Sequence, residues 1–308
     1  MSTKHILDPY RAVQFILDFV GTLTEKDTLE NLVEIAKDSS GDYGRIDDAW
    51  AECKELYMQD RATIIKGIDL RDSTTAGDES TILKHLESVE IQSIYRVSHS
   101  GIFLGLTEQH ILDGAARQRE KPNGVRLRTA VQDLLNVVNA RKERLRQNGE
   151  DITDHISILS VNWSRTWIYG CLKSQLDNFE EYNINKSSIY SNELDGLHDS
   201  EHASNGVIAG RIYSSRNKLQ HLTNIRQINS RSPVIYIGDS WTDFECLIDA
   251  ELGICIGKPD MEKSELSQSF KRIGLDCPHI SKMDDCDSRN VVWARDFSEI
   301  TLWLYRNS

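Results

Sequence analysis

The feature that most constrains this chain is a short apolar run that ends in acid. Val234-Ile235-Tyr236-Ile237 leads directly into Gly238-Asp239-Ser240-Trp241-Thr242-Asp243. An unbroken apolar run of this length, closed by a glycine turn, reads as a strand buried on both faces, as in a parallel sheet covered by helices. Val13-Gln14-Phe15-Ile16-Leu17 ends in the same way, on Asp18. Ligands of open α/β sheets collect beyond the carboxyl ends of the strands. Two acidic turns at such ends therefore predict one anionic centre built from distant parts of the chain.

The rest of the sequence supports a layered α/β fold. Further β-rich runs occur at Ile156 to Ser160, Ile189 to Ser191, Val207 to Tyr213, Gly253 to Ile256 and Val291 to Ala294. They alternate with helix-like segments, among them the amphipathic stretch that ends near Arg146, with Val131, Leu134, Leu135 and Val138 on one face. Gly206 to Ser214 reads alternatively as half of a β-hairpin. Between the first acidic turn and Pro122 the periodicity is helical: Leu29, Leu32, Val33 and Ile35, then Ile82, Leu83, Leu86 and Val89. Ser39 to Asp42 and Ser73 to Asp78 read as loops between these helices. The expected organisation is a core of 1–24 and 122–308, with 25–121 inserted as a helical module without strands.

The 308 residues are 39% hydrophobic and carry a net charge of −12. That balance allows a packed core and disfavours nucleic-acid binding, which needs a dense basic surface. A small phosphate ligand is still allowed, since only the field inside a pocket matters to it. No apolar run is long enough to span a bilayer, so no membrane partner is expected. The cysteines have no paired spacing, which suggests reduced thiols and a cytoplasmic or nuclear location. Oligomeric state is not legible.

Each candidate functional residue has a chemical reason. Asp18, directly after its strand, can attack a phosphoryl group; Gly21 permits a tight turn and Thr22 can hydrogen-bond phosphate or backbone. Ser160, at the end of its apolar run, can donate to a phosphate oxygen, and the ammonium of Lys218 can neutralise charge between nucleophile and phosphate. Asp239 and Asp243, four residues apart, can serve a hard cation, one as a ligand and one orienting the loop.

Taken in order, Asp-x-x-Gly-Thr, Ser, Lys and Gly-Asp-x-x-x-Asp resemble the signature of the haloacid dehalogenase superfamily, over about two thirds of the chain. The resemblance implies a Rossmann-like core with a mainly parallel sheet, a helical cap after the first motif, and magnesium as cofactor. It implies Asp18 as nucleophile, Ser160 and Lys218 as phosphoryl-holding residues, and a metal site of Asp18, the Val20 carbonyl, Asp239 and Asp243. The stretch Val234 to Gly257 looks like the phosphatase half of the plant thiamin monophosphate phosphatases and their fungal relatives. That likeness implies a small phosphomonoester, thiamin-related at its finest.

One departure matters. Phosphatases of this superfamily carry Asp-x-Asp in the first motif, whereas here the second acid is Val20. Valine neither protonates a leaving oxygen nor activates water; losing a general acid/base typically costs about 10²–10⁴-fold. Three readings stand open: a weak or specialised phosphatase, a pseudophosphatase that binds a phosphorylated ligand or a protein, and a phosphonatase using a cap lysine (Lys26, Lys37, Lys54, Lys66 or Lys84). Cys277-Pro278-His279 and Asp285-Cys286-Asp287 match no zinc spacing. His85, His99 and His110, and Arg126-Leu127-Arg128, are expected to be structural, and Arg141 to Arg146 a solvated helix face.

Overall fold

The computed structural model describes residues 6–8, 10–70, 73–147, 153–197, 202–228, 232–257, 264–283 and 290–307. Asp285-Cys286-Asp287 lies outside them. The apolar runs become the sheet. Strands β1 (Gln14–Leu17), β3 (His155–Leu159), β4 (Ile189–Tyr190), β8 (Val234–Gly238), β9 (Leu252–Ile256) and β10 (Val291–Ala294) form one sheet in the order β10-β9-β8-β1-β3-β4. Its pairings are all parallel. β1, β8 and β9 are buried at every position, as expected for strands covered on both faces. The covering helices include α5 (Val131–Gln147), α6 (Arg165–Gln175), α7 (Ser215–Ile228), α8 (Phe244–Asp249), α9 (Glu265–Arg272) and α10 (Phe297–Asn307).

The inserted segment carries α1 (Leu29–Ser40), α2 (Tyr43–Gly67), α3 (Ala76–His99) and α4 (Glu108–Gln118). α3 begins with a capping box in which Thr75 and Asp78 satisfy each other's backbone, so Asp78 belongs to the helix, not to the loop read from sequence. The insertion is not strand-free. β2 (Leu104–Thr107) pairs antiparallel with β6 (Ala203–Asn205), a segment beyond β4. Sequence patterning missed it because Leu104-Gly105-Leu106-Thr107 is too short to show a period, and its partner lies far along the chain. Val207 to Tyr213 is likewise not a core strand. Only Ile208–Ala209 (β7) is extended, paired antiparallel with β5 (Glu193–Leu194).

Close contacts seat the insertion on the core. A Cβ on Gly170 of α6 would lie 2.9 Å from the Cβ of Ala115 on α4, so only glycine lets these helices approach so closely. Glu79, fully buried on α3, accepts hydrogen bonds from Ser269 (2.6 Å) and Arg272 (2.5 and 2.8 Å) of α9. Arg61 of α2 donates to both carboxylate oxygens of Glu265 (2.6 and 2.7 Å).

The Arg141 to Arg146 run is not wholly solvated. Arg141 is buried, faces Asp154 across a 2.9 Å ion pair, and donates to the carbonyls of Leu7, Asp8 and Arg11. It pins the chain leading into β1 to α5. Charge counting failed here because a helical run presents successive residues to different faces.

Candidate active site

Strand register assembles the centre. Leu17 of β1 pairs with Ile158 of β3 and with Ile237 of β8. One step further along the chain, Asp18 comes level with the ends of both neighbours, Ser160 follows on one side and Asp239 on the other. Val20 (φ −74°, ψ 119°) and Gly21 (φ 77°, ψ −16°) then take type II turn angles, which demand a positive φ at the second position. A Cβ on Gly21 would also lie 2.4 Å from Oδ2 of Asp239, so this glycine is required twice over. Thr22 donates to Oδ1 of Asp239 (2.7 Å), and Arg128 braces the turn by donating to the Gly21 carbonyl (Nε 2.8 Å).

Lys218, in the first turn of α7, is fully buried. Its Nζ donates to Oδ1 of Asp18 and to Oδ1 of Asp243, both at 2.7 Å. Burial would lower the lysine's pKa, but these two carboxylates hold it well above the ordinary lysine value. Asp243 is saturated: Oδ1 also accepts from the Tyr236 hydroxyl (2.6 Å), and Oδ2 accepts from the backbone of Asp239 and Ser240 and from the Ser240 hydroxyl. Burial raises its pKa, and Lys218 with these donors brings the net position below the usual carboxylate range. Asp243 thus orients the loop that presents Asp239. Ser160 is buried, and its hydroxyl accepts only a long bond from the Asn162 backbone (3.4 Å) among its recorded contacts.

Asp18, Asp239 and Asp243 each offer an oxygen within 4.8 Å of the others. With all three ionised, Lys218 leaves two negative charges uncompensated. The donor set therefore suits a hard divalent cation with oxygen ligands. Without one, the site takes up protons. Burial, with Asp243 adding to it and Lys218 opposing, moves Asp18 up to about 6; burial, then Asp18 and Asp243, moves Asp239 up to about 8. Both folded pKa values lie above the unfolded ones, so this contribution to stability is full in acid and lost as pH rises through them. Asp243 works in the opposite sense, and its contribution is lost only in stronger acid. We expect the melting temperature of magnesium-free protein to fall from about pH 5 to about pH 8, and added magnesium to flatten that fall. Thermal unfolding in chelator and in magnesium checks this; a metal-free profile that rises over the interval would contradict it.

Beside the centre lies a cavity of about 240 Å³ between insertion and core. Val20, Asn162, Trp163 and Thr242 line it from the core side, and Trp50, Tyr57, Glu90 and Ile94 from α2 and α3. Trp50 and Trp163 meet edge to face at 5.9 Å. No periodicity separated these cavity residues of the insertion from ordinary helix-face residues. Of the cap lysines proposed from sequence, only Lys54 lines this cavity among the described residues, and Glu30 pairs with it at 2.6 Å. His85 and His99 bond to carbonyls of their own helix, and His110 caps α4; none of them lines the cavity. Arg126 and Arg128 are structural, as expected, bonding to backbone carbonyls.

No family model matches the chain. A Schizosaccharomyces pombe protein described as a CTO1 family protein is 28% identical over 241 residues, 76% of this chain and 77% of the relative. Among solved structures, a Vibrio cholerae protein described as a probable phosphoserine phosphatase superposes with a TM-score of 0.53 at 16% identity, over 97% of this chain and 66% of that one. A Salmonella enterica serovar Typhi protein described as a HAD family hydrolase gives a TM-score of 0.47 at 15% identity, over 83% of this chain and 67% of that one. At such identities the likeness concerns the fold alone, a layered α/β core built on a parallel sheet.

Proposed function

We propose that this protein, with Asp18, Ser160, Lys218 and Asp239 gathered at the strand ends, is a magnesium-dependent phosphatase of the haloacid dehalogenase type acting on a small phosphomonoester. The observation that carries this reading is the buried Asp18–Lys218–Asp243 chain beside a partly exposed Asp239. A structural ion cluster has no need of a third, partly exposed carboxylate held in negative excess.

Asp18 attacks phosphorus in line with the leaving oxygen and forms an aspartyl-phosphate. Lys218 keeps Asp18 ionised and faces the phosphoryl oxygens, and the Ser160 hydroxyl donates to them. Water then opens the aspartyl-phosphate and releases inorganic phosphate. Asp18, the Val20 carbonyl and Asp239 would hold magnesium, with Asp243 fixing the Asp239 loop. When bound, the ion supplies positive charge that offsets phosphate and carboxylates. The cap of 25–121 shields the site from water and shapes the substrate pocket. The aromatic walls suit a leaving group with a flat or apolar part, which accommodates the likeness to thiamin monophosphate phosphatases.

Val20 supports a second reading, a pseudophosphatase that binds a phosphorylated ligand without turnover. A phosphonatase is disfavoured: its imine needs a cap lysine free to reach the substrate, and Lys54, which lines the cavity, is engaged by Glu30. Aryl phosphate hydrolysis that requires magnesium tests the enzyme reading. Asp239→Asn should weaken magnesium binding at least tenfold by calorimetry and lower turnover in parallel. Equal magnesium affinity in wild type and variant removes the metal assignment.

A further inference from the structure

We propose that Glu90, on cap helix α3, is the proton donor and acceptor that replaces the acid missing at Val20. The inference rests on the phosphatase reading above. Val20 and Glu90 line the same cavity. A second cavity, under the cap and against the loops that carry Ser214, Ser240 and Trp241, is also lined by Glu90. The two cavities share Tyr57, Glu90, Tyr213 and Thr242. Glu90 therefore faces the space between the cap and the loops that present Lys218 and Asp239.

The other titratable groups of the first cavity are Asp27, Cys53, Lys54, Tyr57 and Tyr213. Asp27 accepts the Leu29 amide (2.7 Å) and starts α1; Lys54 is paired with Glu30. Burial raises the thiol pKa of Cys53, and burial followed by the Glu90 charge raises the phenol of Tyr57 beyond useful range. Glu90 is half-buried, and the Tyr57 hydroxyl donates to its Oε1 at 2.9 Å. Among the described residues that hydrogen bond fixes one oxygen of the carboxyl. Arg61, which would otherwise hold Glu90 as a carboxylate, is engaged by both oxygens of Glu265. Burial raises the Glu90 carboxyl above its ordinary value, with Tyr57 and Arg61 only partly offsetting it, which is the direction a general acid needs.

The step balances. As Asp18 forms its bond to phosphorus, the bond from phosphorus to the ester oxygen breaks, and the Glu90 proton passes to that oxygen. The Glu90 carboxylate then takes a proton from the water that attacks the aspartyl-phosphate. The bond from phosphorus to Asp18 breaks, inorganic phosphate leaves, and Glu90 is protonated again.

The test uses the full-length protein with magnesium, p-nitrophenyl phosphate and glycerol phosphate. Glu90→Gln should lower glycerol phosphate turnover by about 10²-fold, while the first-step burst on the aryl ester changes little, because nitrophenolate departs without a proton. The alkaline limb of the pH profile, where Glu90 loses its proton, should disappear for the alkyl ester. Val20→Asp should rescue Glu90→Gln, and Tyr57→Phe should shift the profile without abolishing turnover. Circular dichroism confirms that each variant is folded, and Glu90→Asp, which retracts the carboxyl, should resemble Glu90→Gln. If turnover requires Asp18 but the alkyl-to-aryl ratio is the same in wild type and Glu90→Gln, the role of Glu90 is overturned while the phosphatase reading stands. If wild type shows no Asp18-dependent turnover, both fall.

Discussion

Asp18→Asn should remove all magnesium-dependent turnover while leaving the protein folded and at least as resistant to denaturant near neutral pH. An amide cannot form the acyl-phosphate, so the rate on any ester falls to background. Stability follows from the electrostatics. Burial places Asp18 where its charge is disfavoured, and Asp239 and Asp243 share the same small volume. Asparagine keeps the shape and removes one of the crowded charges, and Lys218 keeps its bond to Asp243. Parallel denaturant melts and rates on one aryl and one alkyl phosphate check both halves. Wild-type rates in the asparagine variant transfer the protein to the pseudophosphatase reading. A large loss of stability means that Lys218 depends on Asp18 more than on Asp243.

Val20→Asp should produce the largest gain. The turn already has extended angles at position 20, which aspartate adopts without strain, and the residue lines the cavity beside the centre. A carboxyl there can protonate the leaving oxygen and activate the water. Restoring a general acid/base is worth about 10²–10⁴-fold where none exists. With Glu90 present the gain on glycerol phosphate should be roughly tenfold to a hundredfold, and in Glu90→Gln up to about 10³-fold. Aryl esters should gain mainly in breakdown of the aspartyl-phosphate, seen as loss of any pre-steady-state burst. A variant that still binds magnesium and phosphate but gains nothing on alkyl esters shows that position 20 does not reach the leaving oxygen.

Local patterning was enough for the parts of the site that sit at strand ends. A buried strand must end before its first charged residue, so Asp18 and Asp239 announced themselves as the termini of apolar runs. Gly21 was legible for its turn; that it must also make room for Asp239 was visible only once β1 and β8 lay side by side. Lys218 was a candidate only through its place in the order of the motifs, and the packing of α7 is what buries it against two carboxylates. Tyr236 read as plain core, yet its hydroxyl holds Asp243.

The sequence by itself determined the order of elements, the parallel character of the sheet and the acidic chemistry of its edge. These follow from short-range hydrophobic period and from where polar residues interrupt it. Tertiary structure alone decided the pairing of β2 with β6, the burial of Arg141 and the placing of Glu90 in one cavity with Val20. Each joins residues distant in sequence, and no local period encodes which faces of two helices meet or what shares a cavity. Val20 marked the missing acid in the sequence, but only the seating of α2 and α3 against the core shows which side chains share its cavity.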